Sequence, residues 1–155
     1  MIGDVDLYPW LKIGHILAAI VAVGFNLTYG ILLSRAGREP EHFGHVLRTI
    51  KVLDDRFANP AYGLLLVLGV LMVLIGPWEF TDLWIWLAIV LYVAVVALGF
   101  AVYSPLLRNQ IAALDAGGPT SPEFTALTAR GRSIGILLGV IVVVIIGLMV
   151  LKPTL

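Results

Sequence analysis

Three histidines are the side chains in this sequence best suited to chemistry, and one of them stands inside an oily run. From Ile13 to Ser34 the chain carries no Asp, Glu, Lys or Arg, and His15 is the one residue there that titrates near neutral pH. Neutral imidazole is the commonest protein ligand for haem iron and metal ions, so His15 is a candidate axial ligand to a haem or ligand to a metal ion. The alternative is an interhelical hydrogen bond to a backbone carbonyl or a tyrosine, worth about 1 kcal/mol in a bilayer. Both readings stand at this point. Steps of three and four residues set His15, Ala18, Ala22, Asn26 and Tyr29 on one helical face. That face is small and polar, and an unpaired polar group facing lipid costs several kcal/mol, so it is expected to turn inward. Asn26 then either bonds across helices or holds a ligand.

Other candidates are weaker. His42 and His45 are spaced i, i+3 beside Glu39 and Glu41, a spacing that can hold a metal ion or equally face solvent or headgroups. Tyr92, Gly99 and Tyr103 share a face that could line a cofactor cleft or pack a core. Met72 and Met149 are ligands by residue type, although methionine in membranes is mostly filler. The chain has no cysteine, which removes disulfides, thiolate ligands and cysteine nucleophiles. It shows no glycine-rich phosphate loop, no nucleophile elbow and no mid-span carboxylate pair. The last point disfavours an ion pump or proton-coupled transporter. Zero net charge without a recognition motif argues against nucleic acid.

The elements that must position these residues are membrane helices. Of 155 residues 60% are hydrophobic and 13% charged, half the charged share of a soluble domain, and the apolar residues come in long blocks. The expected fold is an all-α antiparallel bundle of four transmembrane helices in one domain spanning residues 1–155. The helices are placed at about 9–34, 60–76, 83–105 and 132–151. An amphipathic surface helix over about 40–57 carries Phe43, Val46, Leu47, Ile50, Leu53 and Phe57 on one stripe and basic residues on the other, the latter expected to meet anionic headgroups. Asn59-Pro60 and Ser121-Pro122 each read as a cap followed by a first-turn proline. Gly117-Gly118-Pro119 reads as a stop. The acidic N-terminal stretch MIGDVDLY lacks the basic region of a cleaved signal peptide. Eight of the ten Lys and Arg lie in the two long loops and none in the 77–82 turn, so both loops are expected in the cytoplasm and both termini outside. The two halves hint at a pseudo-repeat of helix, helical loop, helix.

The stretch YPWLKIGHILAAIVAVG, an aromatic followed by Leu-Lys-x-x-His and an apolar run to glycine, resembles a group of small bacterial four-helix membrane proteins. The group comprises a family of predicted integral membrane proteins of unknown function, the copper-resistance CopD-like domain and the HemJ-type protoporphyrinogen oxidase. VLDDRFANPAYGLLLVLGVLM and the four-span hydropathy extend the resemblance over nearly the whole chain. The HemJ-type enzyme is similar in having a first-helix histidine that serves haem b, which implies His15 as axial ligand with Lys12 beside it. That enzyme continues into a Leu-Pro-Arg segment where this chain reads FNLTYGILLSRAG, so the resemblance implies the ligand and not the oxidase reaction. Two functions are therefore expected. One is a haem-binding protein of the bacterial inner membrane, redox or sensory, with Ala18, Ala22 and Asn26 leaving room for a flat macrocycle. The other is a non-catalytic accessory or assembly subunit, in a homo-oligomer or larger membrane complex. Its interface would be the ridge of Gly131, Gly135 and Gly139, continued by Gly147.

Overall fold

The computed structural model describes residues 6–154; residues 1–5 of the acidic lead and residue 155 lie outside the described residues. Helix α1, Leu7–Ala36, is opened by the Asp6 carboxylate, which accepts the Tyr8 N–H at 3.1 Å. At ~1.5 Å per residue its thirty residues outreach the ~30 Å hydrocarbon core. A short 3₁₀ turn, Pro40–His42, starts α2, Phe43–Leu53. Helix α3 is Asn59–Ile75 and α4 is Leu83–Leu98. Helix α5 is Ser104–Gly117, and α6 runs Pro122–Leu151. Among the described residues four rods are long and apolar enough to cross a membrane: residues 7–36, 40–75, 83–117 and 122–151.

The second and third rods each contain one π turn. It covers Asp54–Ala58 between α2 and α3, and Gly99–Tyr103 between α4 and α5. A proline follows each turn two residues on, Pro60 and Pro105. Proline lacks the N–H for the carbonyl four residues back and its ring presses on that carbonyl, so an α turn does not close there. The helix widens instead: the Asn59 N–H bonds the Asp54 carbonyl and the Ser104 N–H bonds that of Gly99, each five residues back. The expected cap at Asn59 is thereby corrected. Asn59 is a helical residue inside a continuous rod, and its amide turns to the Asp54 side chain at 3.4 Å. Ser121 is a true cap, its hydroxyl accepting the Phe124 N–H at 3.3 Å. Gly118, with φ +76°, supplies the left-handed conformation that ends α5.

The amphipathic helix is present as α2, and protein covers Phe43, Leu47 and Ile50 of its apolar stripe, while Phe57 beyond its end stays exposed. Leu47 and Ile50 are fully buried and join Phe43, Tyr29, Ala36, Leu107, Ala113 and Phe124 in one core. This core lies where α2 and α5 leave the apolar spans, at the end carrying the basic residues. Arg48 and Asp115 form an ion pair across it. Through the apolar region the bundle is thinner: α1 packs on α3 and α4 on α6, and large side chains such as Leu27, Ile31, Val93, Val143 and Val150 are exposed, as lipid contact requires. The far end is tied by aromatics. Trp78 Nε1 donates to Tyr8 Oη at 3.0 Å, Trp84 meets Trp78 edge-on, and Lys152 Nζ lies 3.9 Å from the Trp78 ring centre. Gly76 is required there, since a Cβ on it would sit 2.6 Å from the Tyr8 ring.

Candidate functional site

The inward face expected of α1 is where it should be. Ala18, Ala22 and Tyr29 are buried, and His15 and Asn26 are half-buried. The His15 ring lies on span two: a Cβ built on Gly69 would stand 3.2 Å from its Cε1 and 3.6 Å from its Nδ1. That Nδ1 is buried and has no hydrogen-bond partner among the described residues. Asn26 takes the cross-helix alternative. Its amide donates to the Ala22 carbonyl at 2.9 Å and to Tyr62 Oη at 2.6 Å. Tyr92 donates to the Tyr62 carbonyl, so three spans meet through one polar relay.

The groove expected to admit a macrocycle is closed. Ala22 is fully buried and Ala18 nearly so, against the helix pairing of α1 with α3. Surface hollows open elsewhere. One is lined by Leu27, Gly30, Ile31, Ser34, Arg35, Arg38 and Glu39, and another by Val144, Gly147, Leu148, Leu151 and Pro153. Neither includes His15, Ala18 or Ala22.

A second cluster escaped the sequence reading. Asp54 opens the first π turn, is buried, and its recorded hydrogen bond is the long one from Asn59. Helix α1, which carries Tyr29, packs on this turn. Tyr29 is 3% exposed, and its hydroxyl is buried without a hydrogen-bond partner among the described residues. Asp54 falls within the second of the apolar rods, residues 40–75. Lys51 is held by Asp55 at 2.6 Å. A signal for Asp54 did exist: the steps from Phe43 to Leu47, Ile50 and Asp54 are four, three and four, which puts this acid on the buried stripe.

The remaining candidates are dispersed. His42 and His45 are exposed, with His42 Nε2 3.9 Å from Glu41, and among the described residues no three His, Asp or Glu side chains gather as a metal site. Tyr103 packs against the basic-end core, whereas a Cβ on Gly99 would touch nothing, so these two do not line one cleft. The glycine ridge divides. Gly131 abuts Gln110 and Leu106, where a Cβ would come within 3.0 Å of the Gln110 amide; it belongs to internal packing. Gly135 and Gly139 are exposed and have nothing within 4 Å.

No curated protein and no solved structure matches the chain. A family model does, over residues 9–153, from the interfacial aromatics through all four spans to the Lys152 end of α6. The protein belongs to that family, which is described as predicted integral membrane protein (DUF2269).

Proposed function

We propose that the protein binds haem b in the membrane, for a redox or sensory role, with His15 as axial ligand. The observation that carries this reading is the orphaned Nδ1 of His15, buried on the inward side of α1 above Gly69. Buried polar atoms are rarely left unsatisfied, so this nitrogen is open to a ligand while the ring lies against the Leu65 backbone. The resemblance of the Leu-Lys-x-x-His stretch to the HemJ-type oxidase points the same way. Ala18 and Ala22 seal the α1–α3 pairing and do not fit as ring contacts; the fit rests on His15 and the side-chain-free surface of Gly69. Haem would supply reversible electron transfer or gas binding, while the residues of this chain hold and orient the imidazole. The eight basic loop residues favour a plasma-membrane protein with both termini outside the cytoplasm.

The test is the absorbance of detergent-purified protein, as isolated and after addition of haemin. A Soret band lost in His15→Ala, and weakened in Gly69→Ala, supports the reading. Protein that stays colourless after reconstitution overturns it. A second reading, an accessory subunit docked through α6, is favoured by the open space over Gly135 and Gly139. A Cβ on Gly135 meets nothing within 4 Å, so in Gly135→Leu a shift in assembly size with unchanged melting supports docking, and an unchanged size opposes it.

A further inference from the structure

The hollow at the basic end of α1 joins apolar and cationic side chains in one surface. Leu27, Gly30, Ile31 and Ser34 line its inner part, and Arg35 and Arg38 its mouth, where the chain turns out of the helix beside Glu39. The steps from Leu27 to Ile31, Ser34 and Arg38 are four, three and four, so one helical face carries the whole sequence from oil to charge. That face is turned away from the bundle. Leu27 and Ile31 are 68% and 69% exposed, and a Cβ on Gly30 would meet nothing within 4 Å.

Height in the bilayer sorts these residues. The charge-free run from Ile13 to Ser34 measures about 33 Å at ~1.5 Å per residue, close to the ~30 Å of the hydrocarbon core. Arg35 and Arg38 therefore stand at the level of the lipid phosphates, while Leu27 and Ile31 stand beside the first part of the acyl chains. Guanidinium groups match phosphate oxygens as two-pronged donors. Arg38 has no ion pair among the described residues, and Arg35 meets Glu39 only at 3.8 Å, in an exposed pair that holds weakly. Two arginines against one glutamate leave one net positive charge in the lining. A phosphodiester with an uncharged head balances it, whereas a choline lipid brings a cation of its own. We propose that this hollow binds one anionic phospholipid of the phosphatidylglycerol kind, its phosphate on Arg35 and Arg38 and one acyl chain along Leu27, Gly30 and Ile31. The occupant comes from the bilayer, because a water-soluble phosphate would leave the apolar wall uncovered. The site shares no residue with the haem reading and stands or falls apart from it.

The test is native mass spectrometry of the full-length protein released from non-ionic detergent, titrated with dioleoylphosphatidylglycerol or dioleoylphosphatidylcholine. One phosphatidylglycerol should be retained at concentrations roughly tenfold below those needed for phosphatidylcholine. Arg38→Gln should raise the phosphatidylglycerol concentration needed roughly tenfold and leave the phosphatidylcholine titration unchanged. Arg132→Gln, at an exposed arginine of the same end but outside the hollow, should change neither. Gly30→Leu fills the floor without altering charge; it should lower phosphatidylglycerol retention with unchanged melting, since its side chain starts in open space. Should Gly30→Leu alter melting, the two arginine variants decide. Equal retention of the two lipids overturns the proposal. So do equal losses in Arg38→Gln and Arg132→Gln, which mark diffuse attraction to the basic end. Phosphatidylglycerol retention unmoved in a normally melting Gly30→Leu also overturns it, reducing the site to a headgroup contact.

Discussion

The two ends of the bundle are built on different principles. At the basic end, α2 and α5 continue the membrane rods outward and close around Leu47, Ile50, Leu107 and Phe124, a core of the kind a small soluble helical domain would have. At the tryptophan end no such core forms, and the rods are tied by a hydrogen bond, an edge-on aromatic pair and a cation over a ring. Apolar burial drives packing where water is the alternative, but within lipid it drives little, since acyl chains solvate leucine as well as another leucine does. The protein thus concentrates its packing where the chain leaves the hydrocarbon, and its polar residues gather at the same level.

Substitutions can break or sharpen this contrast. Leu47→Ala empties a fully buried position in the basic-end core and should cost about 2–5 kcal/mol in chemical or thermal unfolding. Val143→Ala, on the lipid side of α6, should cost under about 0.5 kcal/mol. Equal losses would show that the basic end is no more than another stretch of bundle. At the other end Trp78→Phe removes the donor to Tyr8 and weakens the platform under Lys152; a loss of about 0.5–1.5 kcal/mol is expected from the same unfolding assay. Arg48→Ala should also act weakly. Its pair with Asp115 is more than half exposed, so the change should stay below about 1 kcal/mol and fade in high salt.

The four spans were legible because hydrocarbon imposes one demand, some twenty apolar residues per crossing, and the composition meets it four times. The inward face of α1 was legible for the same reason: Ala18, Ala22, Asn26 and Tyr29 interrupt an otherwise oily surface. What the sequence hid was continuity. Asn59-Pro60 has the chemistry of a helix start, yet the rod passes through it, because a π turn gives the proline room without releasing the backbone. With the rod treated as two pieces, Asp54 fell at a loop end instead of on the buried stripe that begins at Phe43. The protein partners of the amphipathic helix were hidden as well. The stripe of α2 suits a membrane surface and a protein core equally well, and periodicity does not say which partner covers it. The uncovered state of Gly135 and Gly139 was likewise beyond reach, since glycine spacing marks a ridge but not whether a neighbour fills it.

A π turn is the scar of a one-residue insertion into an α-helix. Excising one residue between Asp54 and Ala58 would heal the second rod into uniform helix and swing everything upstream of the cut by roughly 100°. Leu47 and Ile50 would then be carried round to water, and the third rod would face the wrong side of its neighbour. The widened turn is thus the gear that lets a single rod satisfy two surroundings, oil along α3 and partner helices along α2, with a different angular setting for each.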